Sequence, residues 1–319
     1  MQNRVGIDSR LMSADELQQL QPHTFVGDVD YVSFEPDSGY VDSIQATTSM
    51  IQAAIAAGAE VLEGVEVRAI EQVGGRVSGI STSSGNRPAD VVVCAAGPWS
   101  TALLATAGVD VPIDTIRVQI IIAQRPFELV EPHFIYLDTV AGIFTCALGA
   151  GPQSGWRCRG DQHDEVDPNT ANLFNDHAYP AKAIEAISRR IPAMKNARYL
   201  HGQAGLYDMS ADTHPIIGST GIEGLYMAAG FSGAGFKKAP AVGITLAELI
   251  EHGEARSADL APFAFHVSNL MPGNDPGAKP STVSTPTLVT ASRAARRWPG
   301  SSRWSCRPST DRGPRAGHR

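Results

Sequence analysis

The chain has 319 residues, of which 43% are hydrophobic, enough to bury a substantial core as one large domain or two interleaved ones. Its formal net charge of -7 excludes a general attraction to nucleic-acid phosphates. No apolar run approaches the ~20 residues of a membrane span, and the first residues lack the hydrophobic centre of a signal peptide. A soluble, cytoplasmic protein is expected. Four cysteines occur without CxxC spacing, and Cys94 and Cys146 lie in apolar runs that suit reduced, buried thiols. The nine histidines show no paired metal-ligand spacing, so no metal site is expected.

In chain order, Ser13 followed by Glu16 forms a capping-box pattern and opens a short helix to about Leu20, which Pro22 ends. Tyr31 to Phe34 alternates like a strand and meets the turn at 35–39. Asp42 or Ser43 caps a longer helix from about Ile44 to Ala57, with Gly58 suited to its C-terminus. Strands are expected over Val61–Ile70, Val77–Thr82 and Asp90–Ala95, separated by the Gly74-Gly75 and Ser84-Gly85 turns. Val91 to Ala96 is a continuous apolar run, as in a parallel strand buried on both faces. Gly97-Pro98 breaks it, and a short helix follows from Ser100 to Ala107.

Arg117–Ala123, Phe134–Leu137 and Ile143–Leu148 read as strands of a second, antiparallel sheet, and residues 151–170 as polar turns. Ile184, Ile187 and Ile191 fall at helical spacing before Pro192. Gln203–Tyr207 and Leu225–Ala229 are further strands, and a helix is expected from about Pro240 to Glu251, with Pro240 in its first turn. Residues 277–319 hold nine Lys or Arg against one acid, Asp311, so this stretch carries +8 and the remainder -15. It is expected to be a disordered basic tail. Sequence appended out of frame and a basic interaction tail both remain as readings.

The main chemical signal is the strand, glycine loop and helix at 225–250. Glycines let backbone approach a ligand closely, and a helix start offers unpaired N–H groups that favour negative charge. A reduced flavin is negative near N1 and the C2 carbonyl, so this unit would stabilise it, with Lys237 adding a full positive charge. A glycine turn that merely packs a helix on a sheet, with Lys237 solvated, fits the spacing equally. Gly230-Phe231-Ser232-Gly233-Ala234 nearly matches a hydrolase nucleophile elbow, but Ala234 replaces the last glycine, and only His252 and His266 follow before the tail.

Three blocks in order resemble the FAD-dependent amine and amino-acid oxidoreductases that include D-amino-acid oxidase, glycine oxidase, sarcosine oxidase and dimethylglycine dehydrogenase. They are Ala89 to Ser100, Gly205 to Gly218, and Gly224 to Lys237. The resemblance runs from about residue 5 to 265. It implies an α+β fold in which a partial, Rossmann-like FAD-binding domain (43–112 and 206–265) interleaves with an antiparallel-sheet substrate domain (1–30 with 31–42, and 113–205).

The resemblance also implies non-covalent FAD. Val67 would contact the adenine through its backbone. Ala95, Ala96, Gly97 and Trp99 would pass close to the cofactor. Gly230, Phe231, Ser232, Gly233, Gly235, Phe236 and Lys237 would border the flavin's pyrimidine end. Lys237 would act as the catalytic-site cation that binds a substrate carboxylate. Tyr207 would line the substrate pocket, although a core tyrosine is an equal reading. The implied reaction oxidises a C–N bond of an amino acid or a secondary or tertiary amine by hydride transfer to flavin.

Gly205 stands where monomeric sarcosine oxidases carry the flavin-linking Cys, and Ala234 replaces a His of some relatives. The family's G-x-G-x-x-G turn, whose helix binds the FAD pyrophosphate, has no counterpart in the sequence. The expected alternatives are therefore a truncated, inactive remnant or a subunit completed by a second chain that supplies that unit.

Overall fold

The computed structural model describes residues 2–129, 134–147, 155–159, 163–265 and 288–292. In chain order the strands and helices begin with β1 (Arg10–Met12), α1 (Ala14–Leu20), β2 (Tyr31–Glu35) and α2 (Ser43–Ala56). A run of short strands follows: β3 (Val67–Val73), β4 (Arg76–Thr82), β5 (Gly85–Pro88) and β6 (Val92–Cys94), then α3 (Ser100–Ala105). Next come β7 (Ile113–Gln124), β8 (Ile135–Asp138), β9 (Ile143–Ala147), β10 (Gly155–Arg159), β11 (His163–Glu165) and α4 (Tyr179–Arg190). The remainder is β12 (Arg198–Ser210), β13 (Ile216–Ser219), β14 (Leu225–Ala229), α5 (Gly235–His252) and β15 (Leu288–Ser292).

The capping box forms as the sequence predicts. Ser13 Oγ accepts the Glu16 N–H at 3.2 Å, and the Glu16 carboxylate accepts the Ser13 N–H at 2.8 Å. Two donors at the start of α1 are thereby satisfied. Asp42 likewise accepts the Gln45 N–H at 2.8 Å and starts α2.

The described strands form three sheets. The largest runs β1-β2-β15-β8-β9-β10-β7-β11, with β12 also paired to β7. The β7–β12 pair is its spine, antiparallel from Arg198 opposite Gln124 to Ser210 opposite Ile113. The second sheet is β13-β14-β6, with β14 and β6 parallel. The third is the antiparallel β3-β4-β5 unit. One core joins α1 and α4 to the large sheet through residues such as Leu17, Phe34, Tyr136 and Ile187. A second lies between α3 and the smaller sheets, around Ile70, Leu104, Leu225 and Met227.

Several expectations change. The 151–170 stretch contains β10 and β11, short strands that pair with β7. Residues 61–66 are not a strand, and pairing starts only at Val67 opposite Thr82. Val91 and Val93 are 43% and 41% exposed, because β6 pairs only with β14 among the described residues. Helix α5 starts at Gly235, so Pro240 lies inside it and leaves the Phe236 carbonyl without its helical donor. Leu288–Ser292 is a strand between β2 and β8 within the stretch expected to be disordered, and the rest of 277–319 lies outside the described residues.

Two buried arginines pin loops to the large sheet. Arg190, at the end of α4, is 1% exposed. It donates to Asp138 at 2.5 Å, to Asp28 at 2.7 Å and to the Phe25 carbonyl. Burial pulls its pKa down, but the bonds to Asp138 and Asp28 outweigh that and hold it above the ordinary value. Arg117 on β7 donates to Asp176 at 2.9 Å, Asp164 at 3.3 Å and the Asn172 carbonyl at 2.5 Å. These bonds hold the 164–176 segment on the sheet.

Arg190→Met is expected to destabilise the fold by about 3–5 kcal/mol, because Asp138 would remain buried without its partner. Urea unfolding checks this, and a loss below ~1 kcal/mol would place the pair in the surface class. The Asp176 carboxyl is held below the ordinary range by its hydrogen bonds, the one from Arg117 first. Its contribution is thus complete above that range and is lost as pH falls through the lowered pKa. Asp176→Asn is expected to flatten the acid limb of melting temperature against pH, and an unchanged limb contradicts the assignment.

Candidate functional site

The parallel register of β6 and β14 creates the site. Leu225 lies opposite Val92, Tyr226 opposite Val93 and Met227 opposite Cys94. The two strands therefore end side by side, and the loops after them leave from one edge, where open α/β sheets bind ligands. After β6 the chain makes a single 3-10 turn, Gly97–Trp99. After β14 it enters the 230–234 loop and then α5.

Between these loops lies a cavity of about 840 Å³, within the range of sites for cofactor-sized ligands. Ala95, Gly97, Phe231, Gly233, Gly235 and Phe236 line it at the loop end. Tyr207 and Asp208 enter from β12, and Val242, Leu246 and Ile250 continue the wall along α5. The wall is mostly apolar and suits a flat ring system. Gly97 and Gly233 have φ of 53° and 81°, a region that side chains rarely adopt. A Cβ on Gly233 would stand 2.3 Å from the Tyr207 ring. Bare backbone at these two points leaves the cavity open.

Ala234 precedes α5 and provides no side-chain cap, so the first N–H groups of an 18-residue helix start at the cavity rim uncapped by a side chain. The shape, the glycines and the helix start all fit the isoalloxazine end of a flavin, whose reduced ring is anionic.

The structure brings together Ala95, Gly97, Tyr207, Phe231, Gly233, Gly235 and Phe236 from the sequence-predicted set. The other residues stand around them without lining the cavity. Ala96 packs against the core cluster of the smaller sheets. Trp99 is turned to Asn169, to which its Nε1 donates at 3.0 Å. Gly230 and Ser232 are bonded to the end of β12, and Val67 lies at the start of β3. Lys237 sits in the first turn of α5 and is exposed. Asp208 is the charged lining residue that the sequence reading passed over, along with the apolar wall of α5. Its place next to Tyr207 was the available signal.

The family profile described as FAD dependent oxidoreductase matches residues 1–249. The chain belongs to this family. It is 25% identical over 273 residues to the sarcosine oxidase subunit beta of Arthrobacter sp, covering 82% of this chain and 63% of that one. It is 27% identical over 257 residues to the mitochondrial sarcosine dehydrogenase of Mus musculus, covering 78% and 28%. The chain thus spans less than two thirds of the length of these relatives.

Among solved structures, L-proline dehydrogenase from P. horikoshii superposes with a TM-score of 0.71 at 29% identity, over 80% of this chain and 67% of that one. Glycine oxidase from Geobacillus kaustophilus gives 0.71 at 20% identity, over 83% and 69%, and is similar in fold. The α+β architecture is that of these FAD-dependent proteins.

Gly233→Ala is expected to destabilise the protein by about 2 kcal/mol or more, combining positive φ with a clash on Tyr207. Gly97→Ala has nothing within 4 Å of its new Cβ and is expected to cost only the backbone term, about 1–2 kcal/mol. Thermal melts of both variants test the difference, and equal losses contradict it.

Proposed function

We propose that the chain forms the flavin-facing part of an oxidoreductase that acts on a C–N bond of an amino acid or of a secondary or tertiary amine. The observation that carries this reading is the meeting of the 95–97 turn, the 231–236 loop and the start of α5 around one cavity. FAD, when bound there, supplies the acceptor for the two electrons that leave the substrate's C–N bond, giving an imine that water hydrolyses.

The chain's own residues bind and orient. The uncapped start of α5 stabilises negative charge on the ring. Lys237, one residue beyond the lining residue Phe236, serves as the cation for a substrate carboxylate when its flexible side chain swings to the rim. Tyr207 bounds the substrate side of the cavity. Ala96, Trp99, Gly230 and Ser232 hold the loops in place, and Val67 takes the adenine end. Gly205 offers no thiol, and Cys94 and Cys146 are 2% and 4% exposed, which supports non-covalent attachment and a reducing, cytoplasmic setting. Among the described residues no helix is long and apolar enough to cross a membrane.

A second polypeptide is a partner that two exposed features would suit. Helix α2 has no buried residue, and Ile44, Ile51 and Ile55 are 77%, 41% and 50% exposed along it. Among the described residues β6 pairs on one side only, beside the exposed Val91 and Val93. A strand–glycine turn–helix unit on another chain would pair with β6, cover α2 and bring the pyrophosphate-binding turn. The name of the Arthrobacter relative, a subunit, supports this partner.

The test is the visible spectrum of the protein purified alone and co-expressed with such a unit. Oxidised-flavin absorbance, roughly equimolar with the chain and bleached anaerobically by a secondary amine or amino acid, is the expected result. A colourless protein in both preparations contradicts the reading.

A further inference from the structure

The resemblance assigns the 230–237 loop to the cofactor but says nothing of what holds that loop in shape. Three of its residues adopt left-handed backbone, with φ of 70° at Gly230, 51° at Ser232 and 81° at Gly233. Ser232 is one of two non-glycine residues with positive φ among those described. Such a conformation persists only where surrounding bonds over-determine it.

The bonds come from the end of β12. Asp208 is 9% exposed, and it is the one carboxylate or cation among the residues lining the cavity. Its Oδ2 accepts the Gly230 N–H at 2.7 Å, and its main-chain carbonyl accepts the Ser232 N–H at 2.9 Å. Next to it, Met209 bridges antiparallel to Phe231, and the Ser210 N–H donates to Ser232 Oγ at 3.2 Å. The loop then passes its shape to the helix, because the Ala234 N–H donates to the Phe231 carbonyl at 2.9 Å immediately before α5.

We propose that Asp208 is a positioning residue, a side-chain and main-chain clasp that fixes the 230–233 loop in its left-handed form and so sets the start of α5 against the cavity. A hydrophobic residue at this position would pack the wall equally well but would leave the Gly230 N–H buried without an acceptor. The backbone could then relax out of the conformation that keeps Gly233 against Tyr207. The clasp is a property of the protein without cofactor, and only its consequence for binding rests on the flavin reading.

Hydrogen exchange on the full chain without added cofactor tests it. In Asp208→Ala, the amides of residues 230–235 are expected to exchange about tenfold faster or more, as a buried N–H loses its acceptor. In Asp208→Asn, whose amide oxygen can still accept, exchange is expected to stay near the wild-type rate. Protection in β7 and α4 is expected to remain unchanged in both. Should Asp208→Ala fail to fold, Asp208→Ser, with a hydroxyl too short to reach Gly230, decides the same point.

Wild-type protection of the loop in the alanine or serine variant, or equal loss in asparagine and alanine, overturns the clasp. Where the wild type binds FAD, affinity is expected to fall about tenfold or more in the alanine variant and much less in the asparagine one. Unchanged affinity in the alanine variant overturns the positioning role. A wild type that binds no FAD counts against the flavin reading alone, since the exchange result still decides the clasp.

Discussion

Backbone that turns left-handed three times in four residues must be tied down, and nearly everything at the site depends on that restraint. The 230–233 loop keeps an open face to the cavity because Gly230, Ser232 and Gly233 occupy positive φ. It holds this form through the end of β12, which is itself held along twelve paired positions by β7. The large antiparallel sheet and the 230–233 loop are joined through these hydrogen bonds. The start of α5 inherits its place from that unit and so directs its helix dipole into the cavity.

Two polar clusters stiffen the same sheet from its other parts. Arg190 joins α4 to Asp138 and Asp28, while Arg117 joins β7 to the 164–176 segment. Both arginines are nearly inaccessible, and each donates several hydrogen bonds, with Arg190 Nη2 left without a partner among the described residues. Such clusters define one arrangement of loops rather than adding much net stability. Elsewhere apolar side chains are left in water: Val93 on β6, Ile44, Ile51 and Ile55 on α2, and Ile244 on α5 are exposed.

Local signals were legible wherever one short motif determined the outcome. Ser13 with Glu16 announced α1, and Asp42 announced α2. The β-branched run marked β7, and the short apolar run Leu225–Ala229 marked β14. The glycine-rich stretch at 230–235 and the Ala95-Gly97 turn were legible as site elements because glycine has a distinct backbone freedom.

What was not legible depends on long-range pairing. β10 and β11 are strands because they pair with β7, and at five and three residues they are too short to stand out in a polar, turn-rich stretch. Residues 61–66 look like a strand but join no strand ladder among the described residues. Pro240 suggested the first turn of α5, yet the helix begins five residues earlier, where the clasped loop sets the first turn. Asp208 lay in plain sight beside Tyr207, but its role requires a fold that brings Gly230 to it from 22 positions away.

In the proposed function, the residues around the cavity recognise the ring end of a flavin independently of the pyrophosphate and adenine. Titrating the purified chain with riboflavin, which has neither, measures this directly through quenching of riboflavin fluorescence. Saturable quenching that FAD displaces and ADP does not is the result expected. No binding of riboflavin, together with tight binding of ADP, would contradict the placement of the isoalloxazine between Gly97 and the start of α5.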